Sequence, residues 1–348
     1  MAHSLMTNFW FWTVALMLSI YVVLDGYDIG VGIVHLCISK TDRDRKTLLE
    51  TIHPLWDGNE VWLIAAGTTL YFAFPKLYAS SFSGFYLPLM MVLWLLILRG
   101  ISIEFRDLIQ SRAWIPLWDM IFSAASSALA LFFGVALGNV VRGVPFDSSH
   151  NFFLPLWTNF QVTGPLGILD WYTLSVGISA WITLLVHGSL WVALRTEGNL
   201  EINALKFTRR AWPLLLIVIF GITFLSFRVQ PHLEESYRLR PFGLIFPFVA
   251  FIAMIGIRIW SASSKVLKAF LCSSVFILAM LCSVSFGLFP LVLPSAIDRT
   301  LSLTVENSSA PLHGLVIGLY WFIPGIILAF AYTTFVHRKF SGKITHQL

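Results

Sequence analysis

Four carboxylates in two short strings carry the chemistry of this chain. In residues 24–32, LDGYDIGVG, Asp25 and Asp28 stand three residues apart. In residues 53–74, HPLWDGNEVWLIAAGTTLYFAF, Asp57 and Glu60 repeat that spacing. On a helix, three residues apart means one shared face. Both strings lie in stretches otherwise apolar enough to cross a bilayer. An ionisable group there is costly, faces a bundle interior or water, and marks a proton or ion path. Acids at a helix start can instead complement the helix dipole. That reading covers Asp57 and Glu60, but not Asp25 and Asp28, which come late in their stretch.

The elements that position these acids are membrane spans. Of 348 residues, 57% are hydrophobic and 12% charged, half the charged share of a soluble domain. The expected class is an all-α polytopic membrane protein. The net charge of +5 then speaks of orientation and lipid headgroups, and nucleic acid is excluded as a partner. Nine stretches reach the roughly 20 residues needed to span: 8–36, 54–74, 78–103, 115–141, 165–194, 211–227, 241–260, 266–289 and 313–336. The first has no basic residue before Lys40 and carries two Asp, so it reads as a retained span rather than a signal peptide.

Lys and Arg set the topology. Connections after the odd-numbered spans, with the C-terminal segment, hold 17 of the 23 Lys and Arg. The opposite side holds 6, three of them in 228–240. The N-terminus is therefore expected outside and the C-terminus in the cytoplasm. On this topology Asp25, Asp28, Asp57, Glu60, Glu104 and Asp119 converge on the cytoplasmic half. Asp170 is the exception, at the outer end of the fifth span. Spans six to nine carry no Asp, Glu or Lys in their apolar cores. The chain thus divides into an acid-bearing N-terminal bundle, about 8–141, and inert C-terminal helices, about 165–336.

A proton path needs carboxylates in series, each free to hold or pass a proton. Asp25, Asp28, Asp57, Glu60 and Glu104 have the type and depth for it. The structural alternative is an ion pair, with Arg99 serving Glu104 or Asp28. One Arg cannot neutralise six acids, so the relay is favoured. Asp119 reads first as an N-terminal helix charge. Gly26 and Gly30 make a GxxxG pair, whose default meaning is helix packing. Ala65, Ala66 and Gly67 make a second small face, able to admit a helix or leave a narrow apolar passage for a gas. Trp56 is by default an interfacial belt residue; a stacking surface for a quinone ring is the sharper alternative.

Of nine His, only His187 lies well inside a span, with no evident partner. The others, His3, His35, His53, His150, His232, His313, His337 and His346, fall at span ends or in loops. Haem needs axial His, Met or Cys ligands, so no haem is expected here. Cys37, Cys272 and Cys282 form no CxxC pair and read as buried thiols. A proton-coupled secondary transporter is the alternative from another class, since membrane acids are natural there too. Transporters usually carry paired repeats and interrupted helices. Here the acids gather in one half and on one side.

The strings LDGYDIGVG, WDGNEVW with LIAAGTTLYFAFP, and SFSGFY resemble subunit II of the cytochrome bd ubiquinol oxidase family, and GNVVRGVPF and FPLVLPSA extend the likeness through the chain. The resemblance implies nine spans, arranged as two four-helix bundles plus a peripheral helix, in the cell inner membrane. It implies a haem-free subunit of an enzyme that oxidises quinol and reduces oxygen to water. Haems b and d would sit on subunit I, the obligate partner, with small accessory membrane subunits as further partners. Asp28 and Asp57 match the family's acids on a proton path from the cytoplasm; Asp25 and Glu104 match less strictly. Trp56 matches a Trp that holds a structural quinone in some members, and Trp62 one beside a proposed oxygen route. Glu60 departs from the family, where many members carry Gln, and adds a titratable group.

Overall fold

The computed structural model of the chain describes residues 1–344; His346 lies outside them. Twelve α-helices account for most of these residues. Eight helical segments are long and apolar enough to cross a membrane. These are α1 (Ala2–Ile38), α5 (Tyr86–Phe105), α6 (Trp114–Arg142), α7 (Trp171–Arg195), α8 (Asn199–Val229), α10 (Ile245–Ala262) with a preceding 3-10 turn at Pro241–Leu244, α11 (Val266–Leu288) and α12 (Leu312–Lys339). The expected second span is α3 (Trp56–Ala73), an 18-residue helix that is not among the eight. Asp57, Asn59 and Glu60 in its first two turns dilute its apolar character.

Other boundaries also move. The expected span 78–103 is cut in two. Pro75 opens a separate helix, α4 (Pro75–Gly84), and the chain bends at Phe85 before α5. The residue before a proline is pushed out of the helical region, and Phe74 has φ −133° and ψ 63°. α7 starts later than expected because Asp170 caps it, accepting from the N–H groups of Tyr172 and Thr173. α8 starts twelve residues earlier than expected, so Lys206, Arg209 and Arg210 lie within the helix. Two short helices lie between spans: α2 (Asp42–Glu50), closed by a Thr41–Asp44 capping box, and α9 (Pro231–Leu239), inside the stretch 228–240. Cys37, expected buried, is exposed at the end of α1.

The largest apolar core draws on both halves of the chain, from Tyr27, Val31 and Val34 of α1 through Leu184 and Leu190 of α7 to Phe270 and Phe276 of α11. Glycine makes the α1–α7 contact possible. A Cβ on Gly30 would lie 2.7 Å from the Gly188 Cα and on top of the Leu184 carbonyl oxygen. One on Gly188 would run into the Gly30 backbone. Such backbone approach is the membrane use of small residues. Gly26 also faces α7 but is less crowded: a Cβ there would lie 2.9 Å from Leu184 Cδ2, the far end of a side chain rather than backbone.

At one end of the bundle the Lys- and Arg-rich connections gather, and Lys343 Nζ reaches Glu201 at 2.7 Å. At the other end α6 stops at Gly143, whose φ of 94° suits glycine and whose N–H bonds to Asn139 O. A small antiparallel ribbon, β1 (Leu291–Leu293) with β2 (Leu303–Thr304), sits beside it through a Val144–Ser295 bridge.

The α1–α7 crossing yields a direct expectation. Gly188→Ala should destabilise the fold by about 1–3 kcal/mol through overpacking, read as a lowered thermal midpoint of the purified complex. Gly67→Ala, where a Cβ meets nothing within 4 Å, should leave the midpoint unchanged or raise it. Equal midpoints in the two variants would show that the crossing is not close.

Candidate functional site

The six converging acids do not form one cluster. They divide into a triad around one buried Arg, a single isolated acid, an ion-pair knot at the basic end, and two residues on the surface.

The triad is centred on Arg99 of α5, whose side chain is fully buried. Its Nη1 donates to Asp25 Oδ1 of α1 at 2.7 Å, and its Nη2 pairs with Glu60 of α3. Tyr21, one turn earlier on α1, donates its hydroxyl to Asp25 Oδ2 at 2.8 Å. The structural alternative is thus realised, but with different partners from those expected: Arg99 serves neither Glu104 nor Asp28. A buried pair survives only where its remaining donors and acceptors are met and its geometry is good. Asp25 and Glu60 meet the two Nη groups and Tyr21 meets the second Asp25 oxygen, while Arg99 Nε has no partner among the described residues.

Asp28 stands one turn further along α1 and is also fully buried. Its Oδ2 accepts from Asn59 Nδ2 of α3 at 2.7 Å. Its Oδ1 has no hydrogen-bond partner among the described residues, and no Lys, Arg or His pairs with it there. Such an acid can gain or lose a proton without breaking an ion pair. Asn59 also donates to the Tyr27 hydroxyl at 2.7 Å, and that hydroxyl lies 3.0 Å from His337 Nε2 of α12. The Tyr27 ring stacks on Trp191 of α7, centroids 4.0 Å apart.

Asp119 belongs elsewhere. It lies past the first turn of α6, not in it as the helix-charge reading required. It accepts from Arg106 Nε at 2.7 Å, from His35 Nε2 at 2.8 Å and from Arg45 Nη1 at 3.4 Å. Arg106 also holds Asp42, and Asp107 at 2.8 Å. Burial works against the Arg106 charge, but Asp119 and Asp42 more than offset it and hold the proton above its ordinary affinity. This knot ties the 39–50 connection to the loop between α5 and α6. At the opposite end, Asp170 pairs with Arg142.

Asp57 and Glu104 are exposed. Glu104 lies 3.6 Å from His53; Asp57 has no hydrogen bond or ion pair among the described residues. Asp57, Val61, Ile64, Thr68 and Tyr71 form an uncovered stripe along α3. Trp56 is half-buried, and its six-membered ring lies against Gly100, where an added Cβ would come within 3.2 Å. Trp62 is buried, donates Nε1 to Thr333 Oγ1 at 3.3 Å and meets Phe330 edge-on at 5.1 Å. His187 has partners after all. Its Nε2 is 3.0 Å from the Val23 carbonyl and its Nδ1 is 2.6 Å from Ser273 Oγ, so both ring nitrogens are engaged.

Tyr27, Asn59, His337, Arg106 and His35 are the residues that sequence reasoning missed. Tyr27 and Asn59 were visible inside the two acidic strings. His337 gave only a histidine at a span end.

Residues 6–340 match the profile of a family described as cytochrome bd terminal oxidase subunit II. The chain is 26% identical to the cytochrome bd-I ubiquinol oxidase subunit 2 of Escherichia coli K12, over 99% of this chain and 97% of that one. It is 29% identical to a probable cytochrome oxidase subunit 2 of Haemophilus influenzae, covering 97% and 95%. A cytochrome bd ubiquinol oxidase subunit 2 of Bacillus subtilis matches 41% of this chain at 35% identity. In fold, the chain is similar to a chain of the bd oxidase from Geobacillus thermodenitrificans, with TM-score 0.74 and 14% identity, over 96% and 98% of the two.

The triad makes a falsifiable demand. Arg99→Gln leaves the buried Asp25 and the partly exposed Glu60 without their cation and should cost about 3–5 kcal/mol, read as a loss of assembled complex. Adding Asp25→Asn should recover part of that loss, because the two changes share one interaction. A double variant that assembles no better than Arg99→Gln would show that the Asp25 pair does not hold the helices.

Proposed function

The chain belongs to the cytochrome bd terminal oxidase subunit II family, and we propose that within the oxidase it is the haem-free subunit that supports proton uptake from the cytoplasm. The enzyme is a quinol:oxygen oxidoreductase, and this chain is one of its membrane subunits. Family membership removes the transporter alternative.

One observation carries the proton reading. Arg99 engages Asp25 and Glu60, while Asp28, equally buried, has an unpartnered Oδ1 and no cation of its own. The triad holds the helices, and Asp28 is the acid left to exchange a proton. Asp57 is the second acid of the route. It lies on an uncovered face of α3 among apolar side chains, where contact with lipid would be costly. A facing surface of subunit I accounts for both its exposure and its charge, and carries protons onward to the haem-bearing partner. Glu104, beside His53, serves at the aqueous end. Glu60 is a ligand of Arg99 first.

The remaining assignments follow the same geometry. Haems b and d sit on subunit I; His187, the one deep histidine, has both nitrogens engaged inside this chain. Trp56 offers a partly open ring braced on Gly100, which suits stacking of a quinone head group. Trp62 lies between α3 and α12, beside the small-residue face of Ala65 and Ala66, where an apolar gas could pass. α3 is the ninth span. Its acids face protein rather than lipid, which is how a helix too polar by composition crosses. The Lys- and Arg-rich end is cytoplasmic, with the N-terminus outside, in the cell inner membrane, and small accessory subunits and lipids cover the remaining apolar surface.

Two measurements test these assignments. Asp28→Asn keeps shape and hydrogen bonding but carries no proton. It should lower quinol oxidase turnover per haem d by at least about tenfold, with haem content retained; Asp57→Asn should behave alike. Parental turnover in both would sink the proton role. Trp56→Ala should reduce the quinone retained by the purified complex while sparing haem, and unchanged quinone content would leave Trp56 as a belt residue.

A further inference from the structure

Asp28 is joined to the last turn of α12 by a continuous run of hydrogen bonds. Asn59 Nδ2 is 2.7 Å from Asp28 Oδ2 and 2.7 Å from Tyr27 Oη. That oxygen is 3.0 Å from His337 Nε2, and His337 Nδ1 is 2.9 Å from the Thr333 carbonyl oxygen. The direction of every bond can be assigned. A backbone carbonyl only accepts, so His337 Nδ1 carries a hydrogen, and Nε2 of the neutral ring is the acceptor. The Tyr27 hydroxyl therefore donates to it. Asn59 donates from one amide nitrogen to both oxygens.

A proton arriving at the ring reverses one bond. Nε2 then becomes a donor, and the Tyr27 oxygen is what it finds. The phenol hydrogen must turn to another acceptor. Asp28 Oδ1 is buried and has no partner. Tyr27 Oη and Asp28 Oδ2 share a single amide nitrogen, so they are separated by no more than twice its bond length, a gap that one water can bridge. Asn59 itself is no relay, since its amide does not give up protons; it fixes the two oxygens relative to each other.

We propose that His337 is the proton inlet of this chain, delivering protons from the cytoplasmic side to Asp28 through the Tyr27 hydroxyl. This rests on the reading of Asp28 as a proton carrier. In the step, the Tyr27 hydroxyl turns from Nε2 toward the Asp28 carboxylate, and water gives a proton to the Nε2 lone pair so uncovered. The imidazolium passes it to Tyr27 Oη as the phenol hydrogen leaves for the Asp28 carboxylate. The products are a carboxylic acid, a neutral imidazole and an unchanged phenol; no electrons move. His337 is half-buried at the basic end, so water can reach Nε2 when the Tyr27 hydroxyl turns away. The charged and titratable groups around it are Tyr27 from α1, Arg195 from α7, and Arg338 and Lys339 on its own turn. Arg195 lies over the ring of Trp191, the ring on which Tyr27 stacks, at 5.6 Å. No carboxylate pairs with His337 among the described residues, so a proton on its ring has no ion pair to hold it there.

The test uses the purified oxidase with both subunits. His337→Gln, Tyr27→Phe and Asp28→Asn are compared with the parent for turnover per haem d across pH, with KM for quinol measured alongside. Tyr27→Phe keeps the stack on Trp191 and loses only the hydroxyl, so it remains informative if His337→Gln assembles poorly. The expected result is a fall in kcat on the order of tenfold near pH 8, shrinking toward pH 6 where protons are plentiful, with KM unchanged. His337→Gln and Tyr27→Phe combined should lose no more than either alone. Parental pH profiles in both single variants overturn the proposal. If Asp28→Asn is then still slow, the Asp28 reading survives; if it too is parental, both fail. Loss of haem d with normal turnover per remaining haem d would make Tyr27–His337 a structural clasp and would equally overturn the inlet.

Discussion

The fold depends on a single buried guanidinium. Arg99 reaches from α5 to Asp25 on α1 and Glu60 on α3, in a place where an uncompensated charge is costly. This arrangement fixes the rotation of three helices, since a turn of any one would withdraw a partner. It also sorts the acids. Once Asp25 and Glu60 are committed to Arg99, Asp28 lies in the same low-dielectric interior with nothing but an amide to hold it. The division between acids paired with a cation and an acid without one comes from the reach of one side chain.

A second division runs along the membrane normal. Asp119, Asp42 and Asp107 are gathered by Arg106 with help from Arg45 and His35 at the basic end. That knot pins the first connection onto the loop between α5 and α6. The close approach of α1 to α7 at Gly30 and Gly188 brings Trp191 under the Tyr27 ring. Packing and polar chemistry are therefore continuous: a seam of small residues presents the aromatic floor on which Tyr27, and through it Asn59 and Asp28, are placed.

Much of this was legible in the sequence, and what was not has physical reasons. The two acidic strings announce their importance because carboxylates are costly where they stand, and their family likeness is specific. Three-residue spacing gives a shared face. It does not give the cation, because which of Asp25, Asp28, Glu60 and Glu104 meets Arg99 depends on helix rotation and offset. The break between α4 and α5 was hidden because residues on both sides of Phe85 are apolar, although Pro75 marked the preceding bend. The early start of α8 was hidden because its first three turns are polar and read as a loop. Asp119 looked like a helix-start charge because Arg106 and His35 are far from it in chain or in type. His337 was passed over since a histidine at a span end ordinarily faces water; only the fold brings it to Tyr27, 310 residues away.

Infrared difference spectroscopy of the two-subunit oxidase, recorded between its oxidised and reduced forms, tests the sorting of the acids most directly. A protonated carboxylic acid has a carbonyl stretch separate from that of a carboxylate. The account expects such a band to change with redox state in the parent, to vanish in Asp28→Asn and to persist in an Asp25→Asn complex that still assembles. A band that survives Asp28→Asn and vanishes with Asp25→Asn would contradict it, because the acid bound to Arg99 would then be the one that exchanges its proton.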